Sequence, residues 1–183
     1  MASSILVTGG AGYIGSHTVR ALREAGRPVV AYDSLELSDA AAVGDTPLIV
    51  GEIADAELVG RTIREHDVTA IVHFAAYKNV GESMAQPGRY FRNNVDGTVR
   101  LLDAAVANGV REFVFSSSCS VYGTPEVVPV SEAESIKPES VYAETKAIVE
   151  RILRWYDTVH GMRSVSLRYF NAAGASFDAA IGE

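Results

Sequence analysis

The 183-residue sequence has one cysteine, one tryptophan and four histidines. A lone Cys119 cannot close an internal disulfide, which fits a reducing compartment and excludes a disulfide-built scaffold. His17, His66, His73 and His160 share no ligand spacing, so they are expected to pack or face solvent, and no metal site is expected. No apolar run is long enough to span a bilayer. The first residues lack the charged region, apolar core and cleavage site of a secretion signal. Basic residues are outnumbered 16 to 23, for a formal net charge of −7. With no basic run and no aromatic–basic interleaving, nucleic acid is excluded as a partner. Repeats and low-complexity tracts are missing too. What remains is 48% hydrophobic and 21% charged. That is an ordinary soluble composition, expected to be cytoplasmic, with enough chain for one domain over residues 1–183.

The most informative stretch is near the start. The apolar run Ile5-Leu6-Val7 ends at Thr8, and Gly9, Gly12 and Gly15 follow at three-residue spacing. This reads as a buried strand, a tight turn and the opening of a helix. One glycine lets the chain turn, one lets backbone approach a phosphate, and one lets helix and strand pack closely. The helix start offers unpaired N–H groups to a pyrophosphate. Asp33 ends a second apolar run and is placed for ribose hydroxyls; its charge would repel a 2′-phosphate and so favours NAD over NADP.

Apolar runs alternate with helical patterns along the rest of the chain. Helices are predicted over 13–25, 55–66, from 86 or 89 to 108, and over 138–158. Strands are predicted over 29–32, 48–51, 70–75, 112–116 and 164–170. Loops are predicted over 34–47, 117–138 and 171–183. Inward stripes are expected at Ile14, Val19, Leu22 and Ala25, at Leu58, Val59 and Ile63, and at Val95, Val99, Leu102 and Val106. This alternation predicts an α/β fold, a doubly wound parallel sheet of Rossmann type. Ligands in such sheets bind outside the carboxyl ends of the strands, where Gly9, Asp33, Phe74, Ser118 and Phe170 fall.

Tyr142 and Lys146 are four apart on a predicted helix and project from one face. A neighbouring ammonium, or a positive nicotinamide, favours the phenolate of a tyrosine. A hydroxyl at the end of the adjacent strand, Ser118 or else Ser117, could hold a substrate oxygen. Together they make a general base for removing an alcohol proton while hydride leaves the same carbon.

These segments together resemble the extended short-chain dehydrogenase/reductases, and most closely the UDP-glucose 4-epimerase family. The resemblance is carried by Thr8 to His17, His73 to Lys78 with Val80 to Ser83, and Asn93 to Thr98. It continues in Ser116 to Gly123, Tyr142 to Lys146, and Arg168 to Asn171. It implies NAD held by Gly9, Gly12, Tyr13, Ile14 and Gly15, with Asp33, Ser34 and Leu35 at the adenosine ribose. Glu52 and Ile53 would lie at the adenine, and Phe74, Ala75, Ala76 and Lys78 along the cofactor. Asn94 and Ser116 would lie nearby, Lys146 at the nicotinamide ribose, and Phe170 at the nicotinamide end. Lys78, Ser118, Tyr142 and Asn171 would face a UDP-sugar, with Ser118, Tyr142 and Lys146 catalytic. The implied reaction is transient oxidation at C4, in a homodimer built on the helices around 89–108 and 139–158.

The sequence departs from the family pattern at Glu52, where Asp is usual, and at Ala143, where Gly is common. It is also short, and resembles the NAD-binding part without most of the C-terminal substrate domain. The rival readings are a non-enzymatic NAD-binding or dimerisation module and a sugar-nucleotide 4,6-dehydratase. The dehydratase class typically has acidic residues where Cys119 and Ser120 stand.

Overall fold

The computed structural model describes residues 3–178, 181 and 182. Its strands are β1 (Ser4–Thr8), β2 (Val29–Asp33), β3 (Leu48–Val50), β4 (Val68–His73), β5 (Glu112–Ser118) and β6 (Arg163–Tyr169). They form one parallel sheet in the order β3-β2-β1-β4-β5-β6. The chain winds outward from β1 on one side and from β4 on the other. A crevice therefore opens between their carboxyl ends, where the strand order reverses. Register keeps these ends level, since Thr8 stands opposite both Tyr32 and His73.

The helices are α1 (Tyr13–Glu24), α2 (Ala56–Glu65), α3 (Val80–Ala85), α4 (Pro87–Tyr90), α5 (Thr98–Ala107) and α6 (Val141–His160). Side chains alternate across the sheet along each strand. In β1, Val7 joins Val19, Val29 and Ala31 beneath α1. Leu6 faces the other way, with Val30, Ile71, Phe113 and Phe115, onto Val59, Leu101, Leu102 and Leu153 of α2, α5 and α6. Cover on both faces explains why β1 and β2 read as unbroken apolar runs. Burying Leu101 and Leu102 fully contributes about 1.5–3 kcal/mol each.

Local signals set several helix ends. Asp55 Oδ1 accepts from Leu58 N at 2.9 Å, capping α2. Ser140 Oγ accepts from Ala143 N at 3.1 Å, capping α6. Gly26 and Gly161 follow α1 and α6 at φ +70 and +66, which only glycine adopts without strain.

Other predictions are corrected. The helix expected up to residue 108 is three pieces: α4, a π-helical segment Phe91–Gly97, and α5. The π segment widens the turn and rotates α5 relative to a continuous helix. The inward residues of α5 are therefore Thr98, Leu101, Leu102, Ala104 and Ala105, with Val95 and Val106 half-buried. In α1, Gly15 and Ser16 are buried beside Val19, while Ala25 is exposed beyond the helix end. The short helix α3 escaped the periodicity reading. Strand β4 ends at His73, not residue 75, because the N–H groups of Phe74 and Ala75 both turn back to Thr8 O. Strand β5 continues to Ser118. Short 3₁₀ turns lie within the loops expected at 34–47 and 117–138, at Ala40–Val43 and Cys119–Tyr122. Residues 179, 180 and 183 of the loop expected at 171–183 lie outside the described residues. No helix among the described residues is long and apolar enough to cross a membrane.

Candidate functional site

The glycine turn separates packing from binding. A Cβ on Gly15 would lie 2.0 Å from Gly9 O, and one on Gly9 would lie 2.6 Å from Ala75 N. Those two are glycines because backbone passes too close for a side chain. Gly10 is similar: its Cβ would lie 2.8 Å from Val7 O and 2.9 Å from Ala31 Cβ. Gly12 differs. Its backbone is extended (φ −74, ψ 174), and its Cβ would meet nothing nearer than Gly9 O at 3.3 Å. A side chain there would need the Gly9 carbonyl to give by only a few tenths of an ångström, far less than at the other three. The small residue keeps open the space before the first turn of α1, which carries no side-chain cap and no acidic residue. Uncapped N–H groups beside a small residue fit a pyrophosphate. Tyr13 stands at this turn with its hydroxyl donating to Gly174 O at 2.9 Å, beside half-buried Ile14.

Asp33 forms one wall of the crevice and does more than wait for a ribose. Its Oδ2 accepts from Ala11 N at 3.0 Å, and its Oδ1 accepts from Leu35 N at 3.0 Å and Ser38 Oγ at 2.8 Å. The carboxylate thus ties the glycine turn to the loop after β2 and holds Leu35 in the left-handed region at φ 60. Ser34 Oγ accepts from Glu36 N in the same loop.

The opposite wall is the turn after β4, with Phe74, Ala75 and Ala76 half-buried and Lys78 exposed. Asn94 is 3% exposed, and its amide is committed to the protein. Its Oδ1 accepts from Tyr77 N at 2.9 Å, and its Nδ2 donates to Tyr77 O at 3.0 Å and Thr145 Oγ1 at 3.2 Å. Asn94 therefore braces this wall against α6. His73 is buried below. Thr98 Oγ1 donates to Asn94 O, so it accepts from His73 Nε2 at 3.0 Å, leaving Nδ1 to accept from Thr8 Oγ1 at 2.6 Å. Burial, then the Lys146 charge, pushes His73 down to about 3, so its ring is neutral.

Beyond the crevice, β5 and α6 bring Ser118, Tyr142 and Lys146 together. Ser120 donates to Ser118 Oγ twice, through N at 3.2 Å and Oγ at 2.8 Å. With its lone pairs filled, the Ser118 hydroxyl keeps its own proton to donate, and Ser118 lies close enough to the Tyr142 phenol to lower its pKa. Burial acts more strongly in the other direction, and Tyr142 sits above its ordinary value. Lys146 Nζ lies 5.8 Å from the Tyr142 ring centre and 4.8 Å from that of Phe115, and donates to Ser116 O at 2.7 Å. Burial pushes Lys146 down to about 7. The help expected from a full ammonium beside the tyrosine is therefore weak while the protein is alone.

The two candidate serines separate by strand alternation. Ser117 is 3% exposed and donates to Glu150 Oε1 at 2.5 Å, whereas Ser118 faces the site. Glu150 also accepts from Arg168 Nε at 3.0 Å and Nη2 at 2.7 Å. Arg168 Nη1 in turn donates to Tyr122 Oη at 2.7 Å. This buried network fastens β5, β6 and α6 under the site. The sequence reading missed Glu150 and Ser120; Glu150 lies one turn beyond Lys146, on the same helix face, which was the available signal.

The remaining candidates are spread out. The Ile53 side chain is 5% exposed and belongs to the core, leaving its main chain for a ligand. Glu52 is exposed, with its carbonyl accepting from Tyr32 Oη at 2.8 Å. Phe170 and Asn171 are exposed just past β6. Cys119 is half-buried.

The family model described as "NAD dependent epimerase/dehydratase family" matches residues 5–181. The chain belongs to this family. It is 46% identical over 181 residues to a UDP-glucose 4-epimerase of Rhizobium meliloti, covering 99% of this chain and 55% of that protein. It is 43% identical over 180 residues to one from Halalkalibacterium halodurans, covering 98% and 54%. The structure of the Brucella ovis UDP-glucose 4-epimerase in complex with NAD superposes with a TM-score of 0.97 at 43% identity, over 100% of this chain and 56% of that one. The Bifidobacterium longum UDP-glucose 4-epimerase with NAD+ and UDP gives 0.94 at 34% identity, over 99% and 57%. The chain thus spans about half the length of the curated epimerase/dehydratase relatives it matches.

Within this family the open face of Gly12 yields a direct test. Gly12→Ala is expected to cost about 1–2 kcal/mol of stability, since alanine is a poorer N-cap than glycine and the Gly9 carbonyl must give slightly. The same methyl in a filled contact costs about 1–3 kcal/mol, or roughly 10- to 100-fold in NAD affinity. Calorimetric titration and thermal melting check both parts. Unchanged affinity would remove the phosphate from this turn.

Proposed function

We propose that this chain is the NAD-binding part of a UDP-glucose 4-epimerase, interconverting UDP-glucose and UDP-galactose. The observation that carries this reading is the convergence of Ser118, Tyr142 and Lys146 beside a crevice whose glycine turn meets the uncapped first turn of α1. NAD, when bound, supplies the hydride acceptor and a positive ring. Gly9, Gly12 and Gly15 with the first turn of α1 would hold its pyrophosphate, and Asp33, Ser34 and Leu35 its adenosine ribose. Ser118, aligned by Ser120, holds the sugar's 4-hydroxyl. Tyr142 would take its proton during oxidation at C4 and give it back when the 4-keto sugar is reduced from its other face. Lys146 holds the nicotinamide ribose and adds positive charge beside the phenol.

Trp155 and Val159 are exposed four residues apart on α6, which supports a second copy as partner in a homodimer. The single cysteine supports a cytoplasmic setting, and UDP-sugar interconversion would serve galactose metabolism.

Incubating the chain with NAD and UDP-galactose and assaying UDP-glucose tests the reading. Product formation is the expected result. Intact NAD binding with no product would favour the non-enzymatic module.

A further inference from the structure

The mouth of the crevice is bridged by side chains that the proposed chemistry does not use. Strands β2 and β4 flank β1. Glu36 lies just past the end of β2 and Tyr77 just past the end of β4, so a contact between them passes over the glycine turn. Tyr77 Oη donates to Glu36 Oε2 at 2.5 Å. Arg89, from α4, donates through Nη2 to Glu36 Oε1 at 2.7 Å and pairs through Nη1 with Glu82. Its guanidinium lies 4.0 Å from the centre of the Tyr77 ring. The bridge is anchored on both banks. Glu82 also accepts from Tyr90 Oη at 2.9 Å, and the Tyr77 main chain is clamped by the buried Asn94 amide. On the other side, Asp33 pins the loop that carries Glu36.

We propose that Glu36, Tyr77 and Arg89 form a latch across the dinucleotide crevice that slows the exchange of bound NAD. This rests on the reading of the crevice as an NAD site. The proposed reaction supports it chemically, because hydride is taken and given back within one turnover and the cofactor need not leave. The latch is closed in the free chain, so it is a barrier to entry as well as exit. Its ion pair is partly exposed, at 32% and 44% for Arg89 and Glu36, and is therefore weakened by salt.

The test is the release of etheno-NAD, a fluorescent NAD analogue, from the whole chain after mixing with excess NAD, together with its association rate. Tyr77→Phe and Glu36→Gln each remove one bond of the latch. Each is expected to raise the release rate by about three- to tenfold. The association rate rises with it, so Kd changes less than either rate. High salt speeds release from the unaltered chain and does so less in Glu36→Gln. Release rates that stay unchanged in both variants, with etheno-NAD still bound, overturn the latch alone. So does faster release with an unchanged association rate, which would mark these residues as direct contacts. No binding by the unaltered, folded chain overturns the NAD reading itself, and the latch with it.

Discussion

Replacing Tyr142 with phenylalanine is expected to lower the turnover of UDP-galactose by about 10²- to 10⁴-fold, the usual contribution of a positioned general base. The ring stays and only the hydroxyl goes. The loss therefore reports the proton transfer and not the packing of α6 against β5. Binding of NAD is expected to change by no more than about tenfold, since a single hydrogen-bonding group is removed. Burial holds the phenol above its ordinary pKa, and the nearby Ser118 offsets only part of that. The catalytic pull on its proton must come from added positive charge, which Lys146, lowered to about 7 by burial, supplies only in part at neutral pH. Steady-state assays of the variant beside the unaltered chain decide the matter, and undiminished turnover in Tyr142→Phe would strip the residue of its role.

The largest loss of stability is expected at Glu150, which touches no proposed ligand. Glu150→Ala leaves the Arg168 guanidinium, whose side chain is 18% exposed, without its carboxylate. Breaking a buried pair from one side costs about 3–5 kcal/mol, lowering the melting temperature by roughly 10 °C. Replacing both partners with methionine should recover much of this, because the stranded charge disappears with its partner. A melting curve of Glu150→Ala that overlays the unaltered protein would show the network to be dispensable.

Acid weakens the same part of the fold. Burial by itself pushes the Glu150 carboxyl up. The hydrogen bonds from Arg168 and Ser117, with the Arg168 charge, outweigh that and hold it below its ordinary value. Its contribution is present above the unfolded carboxylate pKa, about 4.3, and is lost as pH falls through the lower folded value. His73, at about 3 against 6.5, begins to penalise the folded state earlier, as pH drops below 6.5. The part of thermal stability that depends on His73 and Glu150 should therefore decline from about pH 6.5 downward, adding to the loss that Lys146, at about 7 against 10.5, causes at higher pH, and the decline should be shallower at its acid end in Glu150→Ala.

What was legible in the sequence is what depends on neighbours along the chain. The glycine spacing, the apolar runs of β1 and β2, the Asp55 cap and the Tyr142–Lys146 spacing are all local patterns, and the sheet follows from them. What was hidden depends on partners far apart in sequence. Asp33 could be read as a ribose ligand from its position, but its bonds to Ala11, Leu35 and Ser38 depend on how the two turns meet in space. Asn94 was placed near the cofactor by the resemblance alone. That it sits in a π-helical segment and clamps Tyr77 was not readable, because π and α segments share the same periodic signal over one turn. The bridge from Glu36 to Tyr77 and Arg89 joins residues 41 and 53 apart, and nothing in their types announces it. Ser117 and Ser118 could not be separated until β5 was seen to run through both.

Cys119 is the chain's only thiol and sits half-buried directly after Ser118. A single attachment point therefore already exists at the reacting end of the crevice, with no competing cysteine to remove. A small environment-sensitive dye or a spin label placed there would report the opening and filling of the site by spectroscopy in the otherwise unaltered chain.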